Sequence, residues 1–191
     1  MPIVSKQQKT FDKVEAEILQ CSFCLKNATG LLVVGEGNAN ADIVLVGEAP
    51  GKQEIVTGRP FIGRAGKLLR ELLTQAKLSA EDVFITSAVK YLPKTYITPK
   101  PKDIEHGKIH LQKQLAVIKP KVIVILGNTA ALSLLDKKFA MVSDHGTFLQ
   151  QEHYTYFISY HPAAPLYSPK LRPIISKDFI KLKNYLKKHG K

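Results

Sequence analysis

The stretch "DIVLVGEAPG", residues 42–51, joins a strand-like run to a turn rich in glycine and proline. Residues 43–46 are Ile, Val, Leu and Val without a polar interruption, which is the pattern of a strand covered on both faces. Gly47, Pro50 and Gly51 then provide backbone that suits a tight turn better than a helix or strand interior. The stretch therefore predicts a buried strand that ends abruptly at a specialised loop.

Three further runs have strand character: "VFITSAV" (83–89), "KVIVILG" (121–127) and "YTYFISY" (154–160). Segments with helical spacing lie between the runs, at 65–76, at 104–118 and at 128–135, the last with Asn128 as the expected N-cap. Strands that alternate with helices favour right-handed crossovers and a parallel sheet. We therefore expect an α/β fold, a three-layer α/β/α sandwich with a central four-stranded, mainly parallel sheet, forming a single domain over residues 1–191.

Polar and special residues follow the predicted strands at the same end. The first strand leads into 47–51, the second ends near Thr86 and Ser87, the third enters Gly127, and the fourth leads into His161. In open parallel sheets, ligands bind beyond the carboxyl ends of the strands. The sequence therefore predicts a functional site along this edge.

The composition favours a polyanionic partner. Lys and Arg total 28 against 16 Asp and Glu, which gives a formal net charge of +12. Such a balance suits nucleic acid, although the lysine-rich segment at 177–191 fits a solvated amphipathic helix equally well. Because no apolar run approaches the roughly 20 residues that span a bilayer, and because the first twenty residues lack a signal-peptide pattern, we expect a cytoplasmic protein without a membrane partner.

The glycine-rich stretches do not match a nucleotide-binding loop. Gly58 and Gly63 have the separation of a phosphate-binding P-loop, but Arg64 and Ala65 follow where Lys and Ser or Thr are needed. The pair Gly47 and Gly51 is one residue too close. A nucleotide-binding enzyme is therefore the weakest of the functional hypotheses.

The ordered motifs resemble the family-four uracil-DNA glycosylases over roughly residues 18–166. The resemblance rests on "CSFC", "GEAPG", "TGRPFIGRAG", "IT" at 85–86 and "HPAA" at 161–164. It implies a monofunctional DNA glycosylase of base excision repair. We expect the protein to act as a monomer in association with the nucleoid. The DNA would contain a deaminated base, most simply uracil, which such enzymes extrude from the helix into a pocket.

The resemblance also assigns roles to individual residues. Glu48 would position the hydrolytic water, and His161 would donate a hydrogen bond to the uracil carbonyl as negative charge develops. Phe61 would stack on the base, and Leu166 would enter the minor groove as a wedge. The remaining base-binding positions are Gly47, Ala49, Pro50, Gly51 and Ser87, and the remaining DNA-binding positions are Arg64, Pro162 and Ala163.

The cysteines depart from the family pattern, in which four cysteines bind a [4Fe–4S] cluster. Only Cys21 and Cys24 are present, and the second pair aligns with Tyr91 and Gly107. Two thiolates do not supply four cluster ligands, so we expect no cluster, no metal and no other cofactor. Reduced structural thiols are the favoured interpretation of the pair, with a redox disulfide or zinc bound through two additional ligands as alternatives.

A second departure concerns base selection. Ser87 stands where the family has asparagine, and a hydroxyl reaches less far toward a uracil edge than an amide does. Tyr167 stands where an arginine is usual. The alternatives to uracil excision are therefore excision of another deaminated base, such as hypoxanthine or xanthine, and a non-catalytic relative that binds nucleic acid.

Overall fold

The structure is a computed structural model that describes residues 5–79, 82–94 and 98–189. Its centre is a six-stranded sheet in the order β2-β4-β3-β6-β8-β7. The strands are β2 (Glu36–Gly37), β3 (Ile43–Gly47), β4 (Val83–Ser87), β6 (Val122–Leu126), β7 (Phe148–Gln151) and β8 (Tyr154–Ser159). The four strands predicted from the sequence, β3, β4, β6 and β8, form the parallel centre of this sheet.

Two edge strands extend the predicted four-stranded sheet. Strand β2 pairs with β4 and strand β7 pairs with β8, both antiparallel. Their two and four residues are too short and too polar to show a strand pattern in the sequence. A second sheet joins β1 (Ala28–Thr29) to β5 (Leu92–Pro93) in antiparallel register.

Helices cover both faces of the central sheet. They are α1 (Lys6–Leu19), α2 (Ser22–Asn27), α3 (Glu54–Thr57), α4 (Arg64–Gln75), α5 (Pro101–Ile118), α6 (Asn128–Leu135), α7 (Met141–Asp144), α8 (Ala164–Tyr167) and α9 (Leu171–His189). Ile43 and Leu45 point toward the leucines of α4 and the apolar face of α9. Val44 and Val46 point to the opposite side, toward α1, α5 and α6. This alternation produces the predicted α/β/α layers, because successive side chains of a strand face opposite ways.

The start of α6 differs from the expectation. Gly127 is the N-cap, whereas Asn128 is the first helical residue. The amide of Asn128 instead accepts a hydrogen bond from the backbone N–H of Phe139 and donates one to its carbonyl. The side chain therefore fixes a distant loop. Within the described ranges, no helix is long and apolar enough to cross a membrane.

Candidate active site and metal centre

A cleft of about 700 Å³ opens at the carboxyl ends of β3 and β4, at the edge where the sequence predicted a site. Eight of the predicted site residues line it: Ala49, Pro50, Gly51, Phe61, Arg64, Ser87, His161 and Leu166. Gly47, Glu48, Pro162 and Ala163 are not part of its lining. The four are next to lining residues in the chain, before Ala49 and after His161.

Phe61 and His161 line the cleft, and Gly47 lies against both rings. The aromatic rings of Phe61 and His161 lie 5.9 Å apart between centroids and are tilted by 32°. A Cβ atom on Gly47 would lie 2.5 Å from the Phe61 ring and 3.6 Å from Nε2 of His161. Any side chain at position 47 would therefore displace the ring of Phe61, so this position requires glycine.

The loop that carries Phe61 is held by a buried carboxylate. Phe61 has a φ of 52°, in the left-handed region that a non-glycine residue occupies at a cost of roughly 1–3 kcal/mol. Oε1 of Glu54 accepts hydrogen bonds from the backbone N–H groups of Ile62 and Gly63, each at 3.1 Å. These two bonds define the path of the chain immediately after Phe61. Glu54 thus positions the aromatic ring.

His161 is held in one orientation by the backbone of its own turn. The N–H of Ala163 donates to Nδ1 of His161 at 3.1 Å. Nδ1 is therefore an acceptor, and the neutral ring carries its proton on Nε2, the atom near Gly47. Burial lowers the pKa of His161, and the nearby carboxylate of Glu48 opposes this effect only in part. The ring is a neutral donor at physiological pH.

Glu48 lies beside the cleft, in the loop after β3, and is oriented by a neighbouring helix. The hydroxyl of Thr129, in the first turn of α6, donates to Oε2 of Glu48 at 2.7 Å. One carboxylate oxygen is thereby engaged. The hydrogen bond fixes the orientation of the Glu48 side chain.

Ser87 occupies the end of β4 next to Gly47, with which it is in register. It is only 4% exposed, and its hydroxyl donates to the carbonyl of Val89 at 2.8 Å. The proton of this hydroxyl is therefore used within the loop. What Ser87 presents to the cleft is a short side chain whose donor is already engaged.

A buried lysine lies directly behind Ser87. Nζ of Lys90 donates to the Ser87 carbonyl, to Oγ1 of Thr86 and to Oε1 of Gln114, at 2.7–2.8 Å. Lys90 is 0% exposed, and burial lowers its pKa to about 7. Its three acceptors match the three N–H groups of an ammonium. Lys90 thus cross-links the end of β4 to α5.

The mouth of the cleft carries residues suited to contact DNA. Arg64 begins α4 and is exposed, while Leu166 and Tyr167 end the short helix α8 at 40% and 85% exposure. Pro162, just before this helix, is buried, and Ala163 is the N-cap of the helix. The two predicted DNA-binding positions Pro162 and Ala163 therefore shape the turn, and the exposed side chains lie beyond them.

A second cluster of polar side chains packs near Val89. Cys21, Cys24, His106 and His110 place their potential ligand atoms within 4.8 Å of one another. Sγ of Cys21 is 3.2 Å from Nε2 of His106, and Sγ of Cys24 is 3.5 Å from Nε2 of His110. Burial lowers the pKa of His110 to about 4, so this imidazole is neutral, as a metal ligand must be.

Comparison with known proteins assigns the family. A family model described as the uracil DNA glycosylase superfamily matches residues 34–187. The chain belongs to this superfamily. It is 40% identical over 183 residues to the type-4 uracil-DNA glycosylase of Archaeoglobus fulgidus, covering 91% of this chain and 92% of that protein.

Two other relatives give the same result. The chain is 39% identical over 190 residues to the type-4 uracil-DNA glycosylase of Saccharolobus solfataricus, with 92% of this chain and 86% of that protein covered. It is 38% identical over 190 residues to the enzyme of the same name from Thermotoga maritima, with 96% and 98% covered. The similarity therefore extends over nearly the whole length of the superfamily members compared.

The expectation that this chain has no metal centre is wrong. It rested on the count of two cysteines and on the alignment of the second pair with Tyr91 and Gly107. Together with the two cysteines, His106 and His110 form a group of four side chains that could hold a metal ion. A side chain at Gly107 would collide with the carbonyl of Ala88, because that face of α5 packs on the chain after β4. The ligands lie on the neighbouring face of the same helix.

Sequence reasoning missed Glu54, Lys90, His106, His110 and Thr129. For the two histidines a signal was available: "CSFC" and "HGKIH" have the C-x₂-C and H-x₃-H spacings of a metal site. The other three carry no local signal. Their roles depend on backbone groups and carboxylates that only the fold brings within hydrogen-bonding distance.

Proposed function

We propose that this protein is a monofunctional DNA glycosylase that hydrolyses the N-glycosidic bond of uracil in DNA and leaves an abasic site for base excision repair. The single observation that carries the proposal is the pair of rings, Phe61 and His161, that line the cleft with Gly47 packed against both. The relatives named above are uracil-DNA glycosylases of similar length. The site supplies the chemistry that such a reaction needs.

Base binding depends on the shape of the cleft. An extruded base enters the space between the Phe61 ring and the Pro50–Gly51 turn, where an aromatic face stacks on it. Stacking alone is tolerant of base identity. Uracil is selected by polar groups at its edge, and Ser87 with the adjacent backbone lies at that edge in this proposal.

Bond cleavage depends on His161. As the bond between base and sugar breaks, negative charge accumulates on the oxygens of the departing base. The Nε2–H of the neutral His161 donates to one of these oxygens and stabilises the charge, without having to reorient during the reaction. The hydrogen bond from Ala163 keeps the donor on the correct ring nitrogen.

Water attack depends on Glu48. The Thr129 hydroxyl holds one carboxylate oxygen, and the other orients a water molecule toward the sugar carbon and accepts its proton as the new bond forms. The base leaves as an anion and the sugar carbon gains a hydroxyl, so the step needs no further reactant. The exposed Arg64, Leu166 and Tyr167 hold the surrounding DNA.

Excision of another deaminated base is the second candidate. The hydroxyl of Ser87 donates to Val89, so this side chain offers the cleft no free donor and is smaller than an amide. A shorter side chain leaves more room for hypoxanthine or xanthine. We further propose that the protein acts as a monomer in the cytoplasm, in association with the nucleoid, as its basic charge favours.

The experiment is an excision assay on oligonucleotides that contain uracil, hypoxanthine or xanthine, followed by alkaline cleavage of the abasic site. Glu48→Ala and His161→Ala are each expected to lower uracil excision by roughly 10²–10³-fold with DNA affinity nearly intact. Glu71→Ala and His153→Ala, which change exposed residues outside the cleft lining, are the matched controls. Retained excision in both cleft variants would rule out this mechanism.

A further inference from the structure

The Cys21, Cys24, His106 and His110 cluster has the size of a site for one metal ion. A tetrahedral zinc ion has Zn–S distances near 2.3 Å and Zn–N distances near 2.0–2.1 Å, which separates neighbouring ligand atoms by about 3.3–3.8 Å. The two Cys–His separations of 3.2 and 3.5 Å agree with this, and the largest separation in the set does not exceed 4.8 Å. Small rotations of the side chains close the set around an ion.

The local backbone explains why these four atoms converge. Cys21 is the N-cap of α2 and Cys24 lies in its first turn, so both thiols are on the side that faces α5. His106 and His110 are one helical turn apart on α5, which places both imidazoles on one face. The ring of Phe23 stacks on His106 at 4.0 Å and limits its rotation.

The same geometry does not fit the four-cysteine cluster of the family. A [4Fe–4S] cluster takes one thiolate on each of four iron atoms, which spreads the ligand atoms more widely than a single ion does. This chain contributes two thiols and two imidazoles, and their donor atoms are gathered too closely for that arrangement. Two thiolates and two imidazoles are a ligand set that zinc accepts in structural sites.

We propose that Cys21, Cys24, His106 and His110 bind one Zn²⁺ ion tetrahedrally. All four coordination positions are then filled by protein, so the ion is structural and takes no part in hydrolysis. It ties α2 to α5. Cys24 packs in one apolar cluster with Val89 and Tyr91, and Ala49 of the cleft loop packs against that cluster. The ion therefore supports the cleft wall from behind.

Metal analysis of the protein purified without oxygen tests the proposal directly. We expect about one zinc per chain, with iron and acid-labile sulfide substoichiometric. Replacement of zinc by Co²⁺ is expected to give the visible bands of a tetrahedral ion with thiolate ligands, saturating at one equivalent. His106→Gln and His110→Gln are each expected to lose the bound zinc, whereas His153→Gln, an exposed histidine in a turn, retains it.

The wild-type protein allows a second test in case a variant of a metal-binding residue fails to fold. In that case Co²⁺ is titrated into wild-type protein from which a chelator has removed the metal, and one equivalent of tetrahedral thiolate bands supports the proposal. Stoichiometric iron and sulfide would overturn it in favour of a cluster. A wild-type protein that binds neither Zn²⁺ nor Co²⁺, or that binds Co²⁺ octahedrally without thiolate bands, would also overturn it.

Discussion

The backbone N–H of Ala163 donates a hydrogen bond to Nδ1 of His161, two residues earlier in the chain. This bond fixes which ring nitrogen carries the proton, because a nitrogen that accepts from an amide has no hydrogen of its own. It also opposes protonation of the ring, since an imidazolium would bring two N–H groups face to face. Burial acts in the same direction by lowering the pKa of His161.

The first prediction concerns stability at acid pH. Unfolded His161 titrates near pH 6.5 and the folded residue titrates lower, so below about pH 6.5 the unfolded state binds the proton preferentially. The free energy of unfolding is therefore expected to fall as the pH drops from 7.5 to 5.5. One such group contributes at most about 1.4 kcal/mol per pH unit. Urea denaturation at both pH values measures the change.

Comparison of the wild type with His161→Gln isolates the contribution of His161 to the pH dependence of the free energy of unfolding. Other histidines titrate in both proteins, so their effects cancel in the difference. The variant is expected to lose less stability than the wild type between pH 7.5 and 5.5. An identical loss in the two proteins would mean that His161 titrates normally and that its neutral form is not enforced by the fold.

The second prediction concerns Glu54. In Glu54→Ala the partly buried backbone N–H groups of Ile62 and Gly63 lose their acceptor. An unsatisfied donor costs up to roughly 1–3 kcal/mol when it is kept from water. Denaturant unfolding is expected to show this loss. Because Phe61 is also released from its left-handed conformation, KM for uracil-containing DNA is expected to rise more than kcat falls. Glu71→Ala, which removes an exposed ion pair with Arg172, is expected to cost less than about 1 kcal/mol.

The third prediction concerns base preference. Ser87→Asn adds an amide that both donates and accepts toward a uracil edge, so excision of uracil is expected to rise relative to hypoxanthine and xanthine. Ser79→Asn, which adds the same amide at an exposed position outside the cleft lining, is the control and is expected to leave the preference unchanged. The assay compares kcat/KM on the three oligonucleotides. An unchanged ratio in Ser87→Asn would show that position 87 does not contact the base edge.

The fourth prediction concerns DNA binding. Arg64→Ala is expected to weaken binding and to reduce the slope of log affinity against log salt by about one, because one phosphate contact is lost. Lys121→Ala is the matched control, since Lys121 pairs with Asp42 at the opposite edge of the sheet. Fluorescence anisotropy at several salt concentrations measures both. An equal effect of the two substitutions would indicate that net charge, not the cleft mouth, governs binding.

The sequence by itself determined the layers and the position of the cleft. Apolar runs at 43–46 and 122–126 specify the strands β3 and β6, which are buried on both faces. Helical spacing from Ala65 to Ala76 specifies α4, the helix before β4. These patterns are local, since the period of the side chains follows directly from backbone geometry. The glycine-rich and polar residues at the strand ends located the site, because ligands bind beyond the carboxyl ends of the strands in open parallel sheets.

Only the tertiary structure decided how the site is held together. Glu54 acts on a loop eight and nine residues away, and Thr129 acts on Glu48 across 81 residues. Cys21 and His106 are 85 residues apart, and Cys24 and His110 are 86 apart. The spacing of each pair is visible in the sequence, but their convergence is not, because it depends on how α2 and α5 pack beside β4. Hydrogen bonding and metal binding depend on ångström-scale distances, which packing sets and periodicity does not.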